Sequence, residues 1–312
     1  MYIGIDLGGT NIAAALVDNN GVIIKRAGIP TAVNNGAEAI LEKLQSVCDF
    51  LVENDSAPLS IGIGVPGAVD DATGEVIFTP NLPLSGVNIV SGLHKKYKCP
   101  VHIGNDANCA ALGETVAGGA KGAQDVVLIT LGTGIGGGIV LHGKLHTGTN
   151  GAAGELGHMV IIAGGRKCGC GRQGCWETYA SASGLITTAN EFMDTYTDSL
   201  LWRLCDGQAG KINGRKVFDA YRADDRAARL TVGRYIEHLA AGIVNIINIL
   251  EPEMICLGGG ISNAWESLAA PLQAAVDAEI FTRFSPQSPQ TRIVKAVLGN
   301  DAGIIGAALL GH

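Results

Sequence analysis

The sequence predicts an α/β protein in which one plan is used twice, giving two α/β domains around a cleft. Three observations carry that prediction. A strand, a glycine turn and a second strand occur at residues 2–17 and again at 126–141, with helices and further strands after each. The chain has 312 residues, more than one hydrophobic core usually serves. Its composition, 47% hydrophobic and 16% charged, is that of a well-buried globular protein.

The elements follow in order. Tyr2–Asp6 reads as a buried strand and Ile12–Val17 as the next, joined by the Gly8-Gly9-Thr10 turn. Asp18-Asn19-Asn20-Gly21 is a hairpin turn leading to a third strand, Val22–Arg26. Within Gly36–Glu53, residues Ala39, Ile40, Leu44, Val47 and Leu51 recur at helical spacing. Ser60–Val65 is a strand stopped by Pro66-Gly67. Val101–Gly104 is a short strand, and Ala107–Val116 a helix that opens just after Asp106. The plan then restarts with a strand at Val126–Leu131, a turn at Gly132-Thr133-Gly134 and a returning strand at Gly138–Leu141, with the His142-Gly143 hairpin behind it. Leu230, Tyr235, Leu239, Ile243, Val244, Ile247 and Leu250 mark one long helix. A strand at Met254–Leu257, a glycine turn, a helix at Trp265–Ala278, a strand at Arg292–Ala296 and a helix near Ile304–Leu310 complete the chain. Phe192–Arg226 gives no readable period. The domain boundary is expected near Gly118–Gly122. That gives an N-terminal domain 1–118, which the C-terminal helix 302–312 is a candidate to complete, and a C-terminal domain 119–301 with a cysteine loop.

Composition excludes some function classes. A net charge of −7, with no run of Lys or Arg, is no footprint for nucleic acid. No segment reaches the roughly 18 apolar residues that span a bilayer, and the N-terminus lacks the basic and apolar regions of a secretory leader. Cys48, Cys99, Cys109, Cys205 and Cys256 lie scattered among apolar neighbours and read as reduced core thiols. The expected location is the cytoplasm. The 45 glycines are about twice the usual share of roughly 7%. They cluster at Gly8-Gly9, Gly132–Gly138 and Gly258–Gly260, as expected where backbone approaches a ligand.

Four groups of residues carry chemistry. Gly132–Gly137 matches the dinucleotide pattern Gly-x-Gly-x-x-Gly, but an apolar, β-like stretch follows it where that fingerprint needs a helix. A glycine turn between two strands can instead offer backbone N–H groups to phosphate oxygens. The same turn at Asp6-Leu7-Gly8-Gly9-Thr10 makes two, with Asp6 beside one and Thr133 inside the other. Together they point to a clamp on a nucleoside triphosphate. Asp106 stands at a strand C-terminus, where α/β folds keep their chemistry. It also stands at a helix start, where Asp or Asn is a favoured cap worth about 1 kcal/mol. Both roles are open, and Asn105 or Asn108 is able to take the backbone groups. The most specific group is His158, Cys168, Cys170 and Cys175. Three thiols and an imidazole close a tetrahedral zinc site, and four protein ligands leave no open position, so the zinc would be structural. Such a site would fix Glu155 and Glu177 relative to each other, an arrangement suited to a small polyol. Last, Leu257-Gly258-Gly259-Gly260 ends a strand where either a plain turn or a flat group such as adenine fits.

These blocks resemble the ROK family of sugar kinases and related repressors. The resemblance rests on Asp6-Leu7-Gly8-Gly9-Thr10-Asn11, on Gly104-Asn105-Asp106-Ala107-Asn108 with Cys109-Ala110-Ala111, and on Leu131–Gly138. It rests also on Gly154-Glu155-Leu156-Gly157-His158 and on Cys168 to Thr178, and extends to Leu257–Gly260. Within the family the blocks look most like those of bacterial glucokinases. The resemblance implies an actin-like ATPase (ribonuclease H-like) fold closing on ATP, Mg2+ and a sugar. It implies Asp106 as catalytic base, and Gly67, Asn81, Asn105, Glu155, His158 and Glu177 around the sugar. ATP would be held by Asp6, Gly8, Gly9, Thr10, Asn11, Thr133, Gly134, Gly258 and Gly259, and structural zinc by His158, Cys168, Cys170 and Cys175. The expected reaction is phosphorylation of an aldohexose, glucose at its 6-hydroxyl first, as in glycolysis, in a homodimer. An N-acetylhexosamine kinase, for N-acetylmannosamine or N-acetylglucosamine, is the alternative enzyme. A sugar-sensing regulator without turnover is the alternative from another class. Polyphosphate is a further donor to consider. Family repressors carry a DNA-binding domain ahead of the Asp-Leu-Gly-Gly block, and with that block at Asp6 none is expected here.

Overall fold

The computed structural model describes residues 1–52, 58–285 and 290–311. Glu53, the expected end of the first helix, and His312, the end of the last expected segment, lie outside them. The strands are β1 (Tyr2–Leu7), β2 (Asn11–Val17), β3 (Ile23–Pro30), β4 (Ile61–Val65), β5 (Ala68–Asp70), β6 (Glu75–Phe78), β7 (Val87–Asn88), β8 (Val101–Asn105), β9 (Val126–Leu131), β10 (Ile135–Leu141), β11 (Lys144–Leu145), β12 (Met254–Gly258) and β13 (Arg292–Lys295). The helices are α1 (Gly36–Leu51), α2 (Val90–Tyr97), α3 (Asp106–Ala117), α4 (Glu177–Ala180), α5 (Ala182–Thr195), α6 (Leu200–Leu204), α7 (Gly214–Arg222), α8 (Arg226–Leu250), α9 (Trp265–Glu279) and α10 (Asp301–Ala308).

Two five-stranded sheets share one strand order. The first runs β3-β2-β1-β4-β8 and the second β11-β10-β9-β12-β13. In the first, β1, β2 and β3 are antiparallel neighbours, and β4 and β8 run parallel to β1. In the second, β10 and β11 are antiparallel, and β12 and β13 parallel. Both sheets therefore begin as a hairpin and end as parallel strands reached through helices, the repetition that the sequence predicts. A small third sheet, β5-β6-β7, lies between β4 and β8 in sequence.

The residues cluster into two compact units, Met1–Leu128 with Gly138–Gly154 and Ala296–His312, and Ile129–Gly137 with Glu155–Lys295. In the first unit β1 and β4 are buried on both faces, as the unbroken apolar runs of interior parallel strands require. Ile3, Ile5, Leu7, Ile61 and Ile63 share one core with Ile40, Leu44, Val47 and Leu51 of α1. Gly4 and Gly62 lie among the alternate residues, and α10 lies directly on both. A Cβ at Gly4 would stand 1.9 Å from the Ile304 carbonyl oxygen, and one at Gly62 1.7 Å from that of Ala307. Buried Glu114, near the end of α3, accepts the N–H groups of Gly119, Val297 and Leu298 and so ties α3 to the segment leading into α10.

In the second unit α8 is the central helix. Fully buried Trp176 donates its Nε1–H to the His238 carbonyl at 2.8 Å, and its ring lies on Gly242. Phe192–Arg226, unreadable as sequence, forms the end of α5, then α6 and α7. Asn213 and Asp225 cap α7 and α8 by accepting the Lys216 and Ala228 N–H groups.

Candidate active site

In the first unit the sheet register brings two carboxylates together. Asp6 on β1 pairs with Gly64 on β4, and Gly64 pairs with Gly104 on β8. Two residues beyond Gly104, Asp106 opens α3, and a Cβ at Gly64 would stand 3.7 Å from its Cα. Asp6 and Asp106, a hundred residues apart in sequence, thus share one end of the sheet. Burial first, and the charge of Asp106 second, push the Asp6 carboxyl up to about 6. Asn105 takes the capping role, its Oδ1 accepting the Ala107 and Asn108 N–H groups at 2.9 and 3.1 Å. The Ala107 N–H also lies 2.8 Å from Asp106 Oδ1.

The other residues expected in this unit lie around the same sheet end. The Gly8–Asn11 turn is closed by the Gly8 N–H donating to the Asn11 carbonyl at 3.0 Å. Gly9 in that turn is a neighbour of Asn81, whose Cβ would stand 3.7 Å from a Cβ at residue 9. Gly67 accepts a 3.0 Å hydrogen bond from Asn105 Nδ2 and has φ of +129°. It is pressed on the Phe78 carbonyl, so only glycine fits there.

In the second unit His158, Cys168, Cys170 and Cys175 bring one ligand atom each within 4.8 Å of one another. The donor geometry decides what fits. A tetrahedral site with Zn–S of about 2.3 Å and Zn–N of about 2.0–2.1 Å has S···S edges of about 3.8 Å and S···N edges of about 3.6 Å. Cys170 Sγ and Cys175 Sγ are 3.7 Å apart, and Cys168 Sγ and His158 Nδ1 are 3.6 Å apart. Two of the six edges of such a tetrahedron are therefore already at that length, and all six lie within 4.8 Å. Gly171 and Gly174 hold the loop's left-handed positions, φ +89° and +81°, whereas Gly169 has open space and no such constraint.

With Nδ1 turned to the sulfurs, His158 Nε2 points the other way, 3.8 Å from Glu155 Oε2. Glu177 Oε1 lies 3.6 Å from His158 Nδ1 and 3.0 Å from Cys168 Sγ. Glu177 Oε2 reaches the Ile135 N–H at 3.4 Å, at the end of the Gly132–Gly134 turn. Gly259, φ +82°, backs directly on Leu131 at the start of that turn. The second unit therefore gathers Thr133, Gly134, Gly258, Gly259, Glu155, Glu177 and the four metal-ligand candidates around one turn.

Comparison with known proteins decides the lineage. The sequence profile of the family described as ROK family matches residues 2–312. The chain belongs to the ROK family. Glucokinase of Thermotoga maritima is 39% identical over 98% of the chain and 95% of its own length. N-acetyl-D-glucosamine kinase of Citrobacter koseri is 32% identical over 99% of both. Among solved structures, a ROK family glucokinase from Streptomyces griseus in complex with glucose and AMPPNP superposes with a TM-score of 0.77 at 34% identity, covering 98% of this chain and 97% of that one. The fold of this ROK chain is the actin-like ATPase fold of those kinases.

The second unit of this ROK chain also holds a cavity of about 600 Å³, lined in part by the Phe192–Arg226 stretch that has no readable period. Its walls include Asn213, Arg215, Phe218 and Arg222 of the α7 segment, with Gly260 and Ile261 from the turn after β12. Ser262 tightens that turn by donating its hydroxyl to the Gly259 carbonyl at 2.8 Å. The signal for these residues lies in the sequence: Asn213 is a helix cap, and Arg215, Phe218, Asp219 and Arg222, at i, i+3, i+4 and i+7, share one helical face. It sits inside the stretch whose period is otherwise unreadable. Among the described residues, no helix is long and apolar enough to cross a membrane.

Proposed function

We propose that this chain transfers the γ-phosphoryl group of ATP to an aldohexose, with glucose at its 6-hydroxyl as the preferred acceptor. One observation carries the reading: the sheet register sets Asp106, the first residue of α3, beside Asp6 at the sheet end. A sugar hydroxyl is a weak nucleophile, and Asp106 accepts its proton as the new P–O bond forms. Phosphoryl transfer otherwise needs positioning and charge neutralisation. In this proposal Gly67, Asn81, Asn105, Glu155, His158 and Glu177 hold sugar hydroxyls. The Gly8–Asn11 and Thr133–Gly134 turns take the phosphates, and the cavity beside Gly258 and Gly259 takes the nucleoside. Asp6 would hold Mg2+, which when bound neutralises phosphate oxygens.

Zinc is the metal proposed for His158, Cys168, Cys170 and Cys175, in a structural role, because all four positions of the tetrahedron are protein ligands. The loop it would stiffen carries His158, whose Nε2 stays available to a sugar hydroxyl. The proposal extends to a cytoplasmic homodimer in glycolysis. Phe281 and Phe284, ring centroids 6.2 Å apart and both exposed, are an apolar surface consistent with self-association.

The test is a coupled ADP-release assay across hexoses and N-acetylhexosamines. Glucose is expected to give the highest kcat/KM, with deoxy analogues much weaker where the site pairs with hydroxyls. A clear preference for an acetamido sugar would place this chain with the N-acetylhexosamine kinases instead. No sugar-stimulated release would remove the kinase reading.

A further inference from the structure

The metal-ligand loop and the Gly132–Gly134 turn meet at one side chain. Glu177 opens α4 directly after Cys175 and Trp176. One of its oxygens faces Cys168 and His158, and the other accepts the Ile135 N–H where the turn becomes β10. Gly134 lies against that second oxygen, so a Cβ there would stand 2.6 Å from Glu177 Oε2. Two further contacts tie the turn to the same stretch of chain. Gly157, next to His158, is pressed on the Ile135 carbonyl, where a Cβ would stand 2.4 Å from the oxygen. At the turn's other end the Ala182 N–H donates to the Gly132 carbonyl at 2.8 Å, two residues after α4. Buried Trp176 anchors the base of this arrangement on α8.

We propose that Glu177 is a positioning residue coupling the metal-ligand loop to the phosphate turn, so that zinc and nucleotide each strengthen binding of the other. This deepens the functional reading above and rests on it: the turn takes phosphate and the loop takes zinc. A carboxylate that only met sugar hydroxyls would need neither the Ile135 N–H nor a glycine at 134. Glycine at 134 is a matter of space alone. Its φ is not positive, so alanine's backbone fits, and the group in the way is the end of a flexible side chain. Alanine at 134 therefore displaces the Glu177 carboxylate and keeps the fold. Coupling between two binding sites is reciprocal in binding free energy, so zinc affinity reports on the nucleotide site without any turnover.

The experiment measures zinc affinity by equilibrium competition between the protein and a chromogenic chelator, with and without Mg2+ and a non-hydrolysable ATP analogue. Wild type should bind zinc at least roughly fivefold more tightly with the analogue present. Gly134→Ala should bind zinc more weakly than wild type and lose the nucleotide effect. Glu177→Gln should do the same, and the double variant should add little, because both remove one coupling. Thr133→Ala removes a hydroxyl from the turn without placing an atom beside Glu177. It should weaken analogue binding and keep the wild-type zinc affinity seen without nucleotide. Wild-type zinc affinity in Gly134→Ala, with the nucleotide effect intact, overturns the coupling and leaves the phosphate and zinc readings standing. A wild-type protein that retains no zinc, or a Thr133→Ala variant with unchanged analogue affinity, removes the reading beneath the coupling and the coupling with it.

Discussion

The two glycine turns hold equivalent places in two sheets of equal strand order, yet they are supported by different means. The Gly8–Asn11 turn is braced by the chain that leaves β3. Thr31 donates its N–H to the Thr10 carbonyl at 2.9 Å and its hydroxyl to the Gly8 carbonyl at 2.6 Å. Those bonds come from the sheet's own continuation and form whenever the sheet forms. The Gly132–Gly134 turn is braced by Ala182, Glu177 and Gly259, outside its hairpin. Two of these lie just after a loop whose own backbone order, outside short turns and helices, is the isolated bridges Val160–Cys175 and Lys167–Gln173. Duplication of a strand order therefore does not duplicate the support of the turns it presents. The first turn stands with its sheet, and the second stands with a loop that a metal would hold.

The variant with the largest expected effect breaks the first unit's half of that comparison. Asp106→Asn keeps the size of the side chain but cannot accept the hydroxyl proton. Turnover should fall by about 10²- to 10⁴-fold while the fold and sugar binding persist. A variant retaining more than about a tenth of wild-type kcat would remove the base role.

Loss of the metal should break the second unit's half and spare the first. Wild-type protein purified without chelator should contain close to one zinc per chain by elemental analysis, and Cys168→Ser much less. Structural zinc contributes about 10 kcal/mol or more of apparent binding energy in small peptides, so its loss should loosen the loop. Amide exchange should then quicken at residues 132–135 and stay unchanged at 8–11. Equal quickening at both turns would contradict the difference in support.

A smaller effect sharpens the comparison within the first unit. With its carboxyl pushed up to about 6 from 3.8, folded Asp6 keeps a proton that the unfolded chain releases at lower pH. Stability of the Mg2+- and nucleotide-free protein should therefore fall as pH rises from about 4 to about 6, by at most about 3 kcal/mol. Asp6→Asn should flatten that part of the profile in denaturant unfolding. An identical profile in the variant would show that Asp6 ionises without penalty.

What the sequence made legible follows from chain length per element. Tyr2–Leu7, Asn11–Val17, Val126–Leu131 and α8 are long apolar patterns bounded by turn residues, and each emerged within a few residues of its expected limits. The returning strand begins at Ile135, three residues before the expected Gly138, because the Gly132 N–H to Gly134 carbonyl bond closes a shorter turn. The strands β5, β6 and β7 have three, four and two residues, too few to show a period, and were not expected. The five-residue α6 is hidden for the same reason, whereas the nine residues of α7 carry a readable face, at Arg215, Phe218 and Arg222, inside a stretch that is otherwise broken by short turns. At the site, the metal-ligand set was readable because its residues are close in sequence. The Asp6–Asp106 pair and the Glu177–Ile135 contact join residues far apart in sequence, and only the strand register and loop packing reveal them.

The most direct measurement of the central claim is the product itself. Protein incubated with MgATP and glucose should yield glucose 6-phosphate in one-to-one proportion with ADP by phosphorus NMR, and Asp106→Asn should yield almost none. ADP formed without a sugar phosphate, or phosphate found at another hydroxyl, would contradict the account.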